Sequence, residues 1–135
     1  MAAVRGIGGI FFKAENPAEL YAWYKKHLGI DGHPNEGAMF PWRQADDPSN
    51  EGMTVWSIFP DSSKYFRDEK ARFMINYILD ATLEALRAEG VAVDDRVERY
   101  EYGNFGWLTD PAGNRIELWE PKPMNTSAPE TTKSD

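Results

Sequence analysis

The sequence predicts an α+β fold made of two tandem modules, each ordered strand, helix and three strands (βαβββ). Strand-like runs alternate with two helical patterns, and landmarks of the first half recur in the second at a steady offset of 63 to 65 residues. The recurring landmarks are residues 40–42 (FPW) with 105–107 (FGW), Asp47-Pro48 with Asp110-Pro111, Val55-Trp56 with Leu118-Trp119, and Asn16 with Asp80. One module is too small to bury its sheet alone, so the two should pack together or pair with a second chain.

The first helix is the most clearly delimited element of the first module. Asn16 suits the N-cap, Pro17 suits the first helical position, and Glu19 can reach back to the cap N–H. Gly29 can end the helix. Its apolar residues at helical spacing are Leu20, Tyr21, Trp23, Tyr24, His27 and Leu28.

The other elements are predicted from apolar runs between polar stretches. In the first module, strands are expected over residues 6–13, 37–44 and 53–60, the last two being joined by the polar stretch 45–52. In the second module, a strand over 73–79 precedes a helix that Asp80 caps and Gly90 ends, with Leu83 and Leu86 on one face. A strand or bent strand is expected over 91–102.

The closing hairpin contains the most informative residue of the chain. Residues 105–109 and 115–119 predict two strands around the type I turn sequence DPAG. Side chains alternate along a strand, so Arg115, Glu117 and Trp119 share one face. Glu117 then lies either on a solvated face, where Arg115 can pair with it, or in a site, because buried carboxylates are rare unless they are paired or bind a metal.

Composition narrows the class of protein. The 135 residues include no cysteine, which excludes disulfides, thiolate metal sites and cysteine nucleophiles. We find neither a membrane-spanning apolar run nor a signal-peptide pattern, so a cytoplasmic protein is expected. The net charge of −7 argues against nucleic acid as a partner and suits a cationic small molecule.

The chain is predicted to be a single domain followed by a tail. Its parts are module 1 over about residues 5–60, a connector over 61–71, module 2 over about 72–121, and a Pro/Ser/Thr-rich tail over 122–135 that is predicted to be disordered.

Three features together resemble the vicinal oxygen chelate (VOC) superfamily: the duplicated pattern, the helix sequence WYKKHLG and the closing sequence DPAGNRIELWEP. That superfamily includes glyoxalase I, bleomycin- and fosfomycin-resistance proteins and extradiol dioxygenases. The resemblance covers roughly residues 5–121. It implies a cup-shaped half-barrel sheet with the helices outside, and a divalent metal held in the cup by His or Glu from the first and last strands of each module. By this resemblance Glu117 is a last-strand ligand and the candidate catalytic residue.

The other ligand positions implied by the resemblance hold unsuitable side chains. The first-strand position falls at or near Gly9, and the last strand of module 1 offers Thr54 or Trp56. The first strand of module 2 offers at best the amide oxygen of Asn76. A catalytic metal needs about three His, Glu or Cys ligands, so no cofactor is expected, and a divalent metal is kept as the alternative.

The two histidines do not restore the ligand set. His27, on the apolar face of the first helix, is expected to be a packed and hydrogen-bonded core residue. His33, in a loop or short edge strand, is expected to be solvated, although a second chain could bring it to a metal site.

Without a metal, the cup is expected to bind a small aromatic or cationic molecule. The ligand-binding candidates are Trp42, Arg43, Trp56, Asn76 and Trp107. Tryptophan offers a flat wall for stacking, and the fork of Arg43 suits a carboxylate or phosphate. If Glu117 is buried without a metal or a donor, its pKa rises and it becomes a candidate general acid or base.

Three kinds of function fit these features. The preferred one is a bleomycin-resistance-like protein that binds a small molecule without the usual metal. The alternatives are a glyoxalase- or lyase-type enzyme that uses Glu117 in an atypical divalent metal site, and a structural or regulatory protein with a vestigial cavity. The expected partners are a small-molecule ligand and a second copy in a homodimer, with neither nucleic acid nor membrane.

Overall fold

The protein is described by a computed structural model covering residues 3–122, and the predicted tail lies beyond these residues except for Lys122. The elements in chain order are β1 (Val4–Ala14), α1 (Pro17–Leu28), β2 (Ala38–Gln44), β3 (Asp47–Pro60), β4 (Phe73–Leu79), α2 (Leu83–Ala88), β5 (Glu98–Tyr100), β6 (Gly103–Thr109) and β7 (Arg115–Pro121). The α+β fold class is thereby confirmed. Within the described range, no helix is both long and apolar enough to cross a membrane.

The strands form one open sheet with the order β2-β3-β1-β4-β7-β6-β5. The first strands of the two modules, β1 and β4, lie antiparallel at its centre. Each is flanked by the last strand of its own module in parallel, β3 beside β1 and β7 beside β4. This repeated arrangement is consistent with a half-barrel that is not closed.

The strands predicted over 37–44 and 53–60 are present as β2 and β3, but the first module lacks the third strand that the βαβββ order requires after its helix. Between α1 and β2 the chain forms only an isolated bridge between His33 and Gly37. The corresponding place in module 2 holds β5, which is three residues long and much shorter than the strand predicted over 91–102. The intervening sequence DGHPNEG is rich in residues that favour turns over strands, which explains the loss.

The caps of the first helix are confirmed, whereas the predicted cap of the second is wrong. The Asn16 side chain accepts the N–H of Glu19 at 3.2 Å, and Gly29 ends α1 with φ of 73°. In α2 the N-cap is Thr82, whose hydroxyl accepts an N–H at 3.0 Å. Asp80 still belongs to the extended chain after β4, because its N–H donates to the carbonyl of Ala3 at 2.7 Å.

The prediction that His27 is a core residue is also wrong. His27 is exposed, and its ring lies 5.1 Å from that of Trp23, which is itself half exposed. In α1, only Tyr21 is fully buried. A single helix lying on a sheet buries a narrow stripe, so the wider apolar pattern extends to the surface. His33 is exposed, as expected for a solvated residue.

The two faces of the sheet are covered by different parts of the chain. On one face, α1 packs on a core with Phe12 and α2 packs on a core with Leu118. The neighbouring residue Phe11 points to the opposite face, where it joins Phe66, Met74 and Trp107. Phe66 belongs to the connector between β3 and β4, so this connector covers the face that bears no helix.

Candidate functional site

Glu117 lies on the face covered by the connector and is 1% exposed. Its neighbours on the adjacent strands are Asn76 of β4 and Trp107 of β6. The Asn76 side chain donates from Nδ2 to Oε1 of Glu117 at 2.7 Å. The hydroxyl of Tyr65, from the connector, donates to Oε2. Both oxygens of the carboxylate therefore accept hydrogen bonds from the protein itself.

Burial determines the electrostatics of this site. Desolvation raises the pKa of Glu117 above its ordinary value of 4.5, although the neighbouring Tyr65, Asn76 and Trp107 lower it. The negative charge of Glu98 adds to the rise. Burial, followed by repulsion from Glu117, also raises the pKa of Tyr65, so the phenol stays protonated and acts as a donor.

Aromatic rings enclose the phenol of Tyr65. Its ring stacks on Phe59 at 5.5 Å with an interplanar angle of 7°. It meets Trp107 edge-on at 6.0 Å and Phe11 at 6.3 Å. The carboxylate thus lies at the end of an aromatic slot that a connector side chain fills.

Arg115 shares the strand face of Glu117 but does not pair with it. Its guanidinium forms an ion pair with Asp94 and donates to Thr109 Oγ1 at 3.1 Å. Its Nε donates to the carbonyl of Phe66 at 2.7 Å. The hypothesis that Arg115 compensates Glu117 is therefore wrong, because Arg115 is engaged in holding the connector to module 2. Glu117 receives neutral donors only, which is consistent with its raised pKa.

The structure brings together three of the predicted site residues, Asn76, Trp107 and Glu117. Sequence reasoning missed Tyr65, because it predicts residues 61–71 only as a connector between the modules. The available signal was the aromatic pair in SSKYFRDEK, since two adjacent aromatic residues in a polar stretch indicate a loop that packs onto the core.

The predicted residues of module 1 lie elsewhere. Trp56 packs against Phe12, Tyr21 and Tyr24 beneath α1. These contacts place it on the helix-covered face, opposite Glu117.

Trp42 and Arg43 belong to the edge hairpin of β2 and β3. The indole of Trp42 donates to Thr54 Oγ1 at 2.8 Å. The exposed Arg43 pairs with Glu51 at 3.2 Å and donates to the carbonyl of Pro48 at 2.9 Å. The contacts of Arg43 stay within the hairpin, whereas the indole of Trp42 also lies against Gly6 of β1.

The groups around Glu117 are hydrogen-bond donors that stabilise its carboxylate, and they are poor ligands for a divalent ion. Asn76, Tyr65 and Trp107 all present N–H or O–H groups, and the residue facing Asn76 on β1 is Gly9, which has no side chain. The Asn76 Oδ1 atom is buried without a hydrogen-bond partner in the described part of the chain, but one amide oxygen and one carboxylate fall short of about three ligands. Among residues 3–122, no group of three or more His, Cys, Asp or Glu side chains could hold a metal. A metal-free site stays a prediction.

Two buried polar atoms next to Glu117 have no hydrogen bond of their own within the described residues. They are Oδ1 of Asn76, an acceptor, and Nε1 of Trp107, a donor. Buried polar atoms are normally satisfied by protein, water or a ligand. The indole of Trp107 nevertheless lowers the pKa of Glu117, so its N–H faces the carboxylate, and Oδ1 of Asn76 is the acceptor that a small polar molecule would reach once the side chains around it move.

Known proteins share this fold. Residues 6–118 match the family model of the Glyoxalase/Bleomycin resistance protein/Dioxygenase superfamily. Methylmalonyl-CoA epimerase from Mycobacterium tuberculosis, a VOC member, superposes with a TM-score of 0.50 at 19% identity, covering 93% of each chain. A structure described as NAD-dependent benzaldehyde dehydrogenase from Legionella pneumophila superposes with a TM-score of 0.54 at 12% identity, covering 84% of this chain and 98% of that chain. No curated protein matches the chain.

At these identities, the solved structures show likeness of fold alone. The family model is stronger evidence, because it spans most of the chain and includes β7 as far as Leu118. The strand order, with the two first strands at the centre of one open sheet, agrees with it. The chain belongs to the glyoxalase/bleomycin resistance protein/dioxygenase superfamily, which is the VOC superfamily.

Proposed function

We propose that this protein binds a small molecule at Glu117, on the connector-covered face, without the divalent metal usual in its superfamily. The observation that carries the proposal is the occupation of both carboxylate oxygens by Asn76 and Tyr65. Protein donors thus hold the carboxylate that the resemblance assigns to a metal. In this respect the protein would act like the bleomycin-resistance proteins, which sequester a ligand.

The surroundings of Glu117 indicate the chemistry of the ligand. The slot formed by Phe59, Phe11 and Trp107 accepts one aromatic ring, at present that of Tyr65. An N–H, O–H or cationic group on the ligand would replace the Tyr65 hydroxyl at the carboxylate. Binding therefore requires the Tyr65 segment of the connector to move aside.

A second candidate function is an enzyme that transfers a proton. The raised pKa of Glu117 favours it, because a carboxyl group that titrates nearer neutral pH is a better general acid or base. The superfamily includes lyases and an epimerase, and a glyoxalase- or lyase-type activity with an atypical metal site would need ligands from beyond this cluster. His33 of a second copy is the candidate that the sequence suggests.

Exposed apolar side chains support the proposed homodimer. Met39, Phe40 and Met53 lie on the edge hairpin of β2 and β3 and are 60%, 44% and 40% exposed. Apolar groups clustered at a sheet edge are typical of a surface that another chain covers. Light scattering coupled to gel filtration would measure the mass directly, with Met39→Lys as the disrupting variant.

Elemental analysis tests the metal-free part of the proposal. Protein purified without a His tag should contain no stoichiometric divalent metal, and Glu117→Ala should give the same result. Near-stoichiometric metal in the wild type that disappears in Glu117→Ala would contradict the proposal and favour the enzyme.

A thermal-shift screen tests ligand binding. A ligand at 100 times its Kd should add about 2.7 kcal/mol to the free energy of unfolding. For an aromatic or cationic hit, Glu117→Gln should abolish most of the shift, whereas the matched control Glu101→Gln, which changes an exposed carboxylate, should preserve it. A shift that is equal in all three proteins would place the ligand elsewhere and contradict the proposal.

A further inference from the structure

A cavity with a volume of about 450 Å³ is lined mostly by residues of the connector. It is lined by Ser63, Lys64, Arg67, Asp68, Glu69 and Arg96. The guanidinium of Arg67 also lies over the ring of Trp107, at 4.3 Å from its centroid. Because Trp107 is the strand neighbour of Glu117, Arg67 connects this cavity to the site described above.

Arg67 has an unusual backbone conformation. Its φ of 60° is the one left-handed value at a non-glycine residue in the described range. Such strain persists where surrounding contacts hold the residue, and it concentrates at functional sites. Here the contacts are the stacking on Trp107 and an ion pair with Glu98 at 3.1 Å.

Two arginines at the cavity share a single carboxylate, that of Glu98. Arg67 and Arg96 both pair with the same oxygen of Glu98, at 3.1 and 3.0 Å. The other oxygen of Glu98 accepts the hydroxyl of Tyr100 at 2.7 Å. Two guanidinium groups therefore share the charge of one carboxylate.

Of the two other acids that line the cavity, Glu69 has a basic partner, whereas Asp68 accepts from a neutral backbone N–H and keeps its charge. Glu69 pairs with Lys64 at 3.6 Å, and Asp68 accepts the backbone N–H of Lys70 at 2.9 Å. The Nε of Arg67 is buried and has no hydrogen-bond partner among the described residues. The guanidinium of Arg96, whose side chain is 62% exposed, is therefore the group that an incoming anion reaches first, with Arg67 behind it.

We propose that this cavity is an anion-binding site, in which Arg67 and Arg96 hold the phosphate or carboxylate group of a small molecule in competition with Glu98. A guanidinium fork binds either group through two charge-assisted hydrogen bonds. The anion would take the place that Glu98 now shares between the two arginines. Anion binding here does not require ligand binding at Glu117, although Trp107 lies between Arg67 and Glu117 and so connects the two sites.

Titration with simple anions tests this site. Inorganic phosphate and acetate would be added separately to ¹⁵N-labelled full-length protein at constant ionic strength, with the indole N–H signal of Trp107 as reporter. Saturable shifts should appear at Trp107 and Arg67. Arg67→Gly, in which glycine accepts the left-handed backbone, and Arg96→Gln should each weaken binding about tenfold or more, as expected for loss of a charged hydrogen bond.

Removing the charge of Glu98 should change the anion affinity in the opposite direction. Glu98→Gln should tighten binding about tenfold, because it removes the competing carboxylate. Arg99→Gln and Glu101→Gln change exposed charges nearby and should leave the affinity within about twofold. Glu117→Gln should also leave it unchanged, which separates this result from the outcome for the Glu117 site.

Several results would overturn the proposal. They are the absence of saturation in the wild type, equal affinity in Arg67→Gly and Arg96→Gln, and equal tightening by Glu98→Gln and Glu101→Gln. Saturation by phosphate alone would identify a phosphate-bearing ligand, and saturation by acetate alone a carboxylate. If Arg67→Gly does not fold, the position of the shifted signals in the wild type and the Glu98→Gln comparison still decide the question.

Discussion

Removing the hydroxyl group of Tyr65 measures how strongly the connector and the buried carboxylate stabilise each other. In Tyr65→Phe the ring keeps its stacking on Phe59 and loses only the hydrogen bond to Glu117. A hydrogen bond to a charged group contributes about 1.5–3 kcal/mol, and one between neutral groups about 0.5–1.5 kcal/mol. The loss should therefore be larger above the raised pKa of Glu117, where its carboxyl group is ionised, than below it, where the group is protonated in the folded state.

Urea unfolding followed by tryptophan fluorescence would provide both values. At pH 9 the free energy of unfolding of Tyr65→Phe should fall by about 1.5–3 kcal/mol, and at pH 4.5 by about 0.5–1.5 kcal/mol. Tyr102→Phe is the matched control, because Tyr102 is 47% exposed and its hydroxyl reaches water. That substitution should change stability by less than about 0.5 kcal/mol at either pH.

A loss below about 0.5 kcal/mol at both values of pH would refute this reasoning. It would mean that the hydroxyl of Tyr65 does not bond to Glu117 in solution. A loss of full size that does not depend on pH would show that Glu117 keeps one charge state throughout. The double variant with Glu117→Gln distinguishes these cases, since a real bond makes the two substitutions non-additive.

Three other substitutions test the charge state of Glu117, the attachment of the connector by Arg115, and the position of Asn76. Folding raises the pKa of Glu117 above 4.5, so the contribution of this group to stability is complete below that pH and is lost as the pH rises through the raised value. In urea titrations from pH 4 to 9, the free energy of unfolding of Glu117→Gln should lack this decline. A pH profile identical to that of the wild type would contradict burial of the carboxyl group. Arg115→Met leaves Asp94 unpaired and should lower the free energy of unfolding by about 2–4 kcal/mol; the loss is not larger because Asp94 is partly exposed. A loss no larger than that of Asp94→Asn would argue against the hydrogen bond from Arg115 to the carbonyl of Phe66 in the connector. Gly8→Ala places a Cβ against Oδ1 of Asn76, so ¹³C NMR should show a further rise in the pKa of Glu117, and an unchanged pKa would show that Asn76 stays in place.

The elements that sequence predicted well are those that short-range chemistry determines. In the turn after β6, Asp110 Oδ1 accepts the N–H groups of Ala112 and Asn114 at 3.0 and 2.8 Å, and Gly113 has φ of 94°. These hydrogen bonds, led by those from Asn114, lower the pKa of Asp110. Partners that lie within four residues are visible in the sequence itself, so the hairpin and the caps of α1 could be predicted.

The tryptophans show where pattern reasoning reaches its limit. The internal repeat paired Trp56 with Trp119 and Trp42 with Trp107, but Trp107 alone lies beside Glu117. Alternation along a strand indicates which residues share a face, and it does not indicate which face a connector or a helix will cover. Trp56 packs under α1 because that helix covers its face.

The sequence by itself determined the order of the elements apart from the missing strand of module 1, the closing hairpin and the presence of a carboxylate at the centre of β7, because periodicity and turn chemistry act over a few residues. The tertiary structure alone decided what surrounds that carboxylate. Tyr65 and Asn76 are 52 and 41 residues from Glu117 along the chain, and they meet it only after β4 pairs with β7 and the connector folds over the sheet. Contacts over such separations depend on how the strands of module 2 pair and on where the connector packs, and single-sequence patterns do not encode that directly.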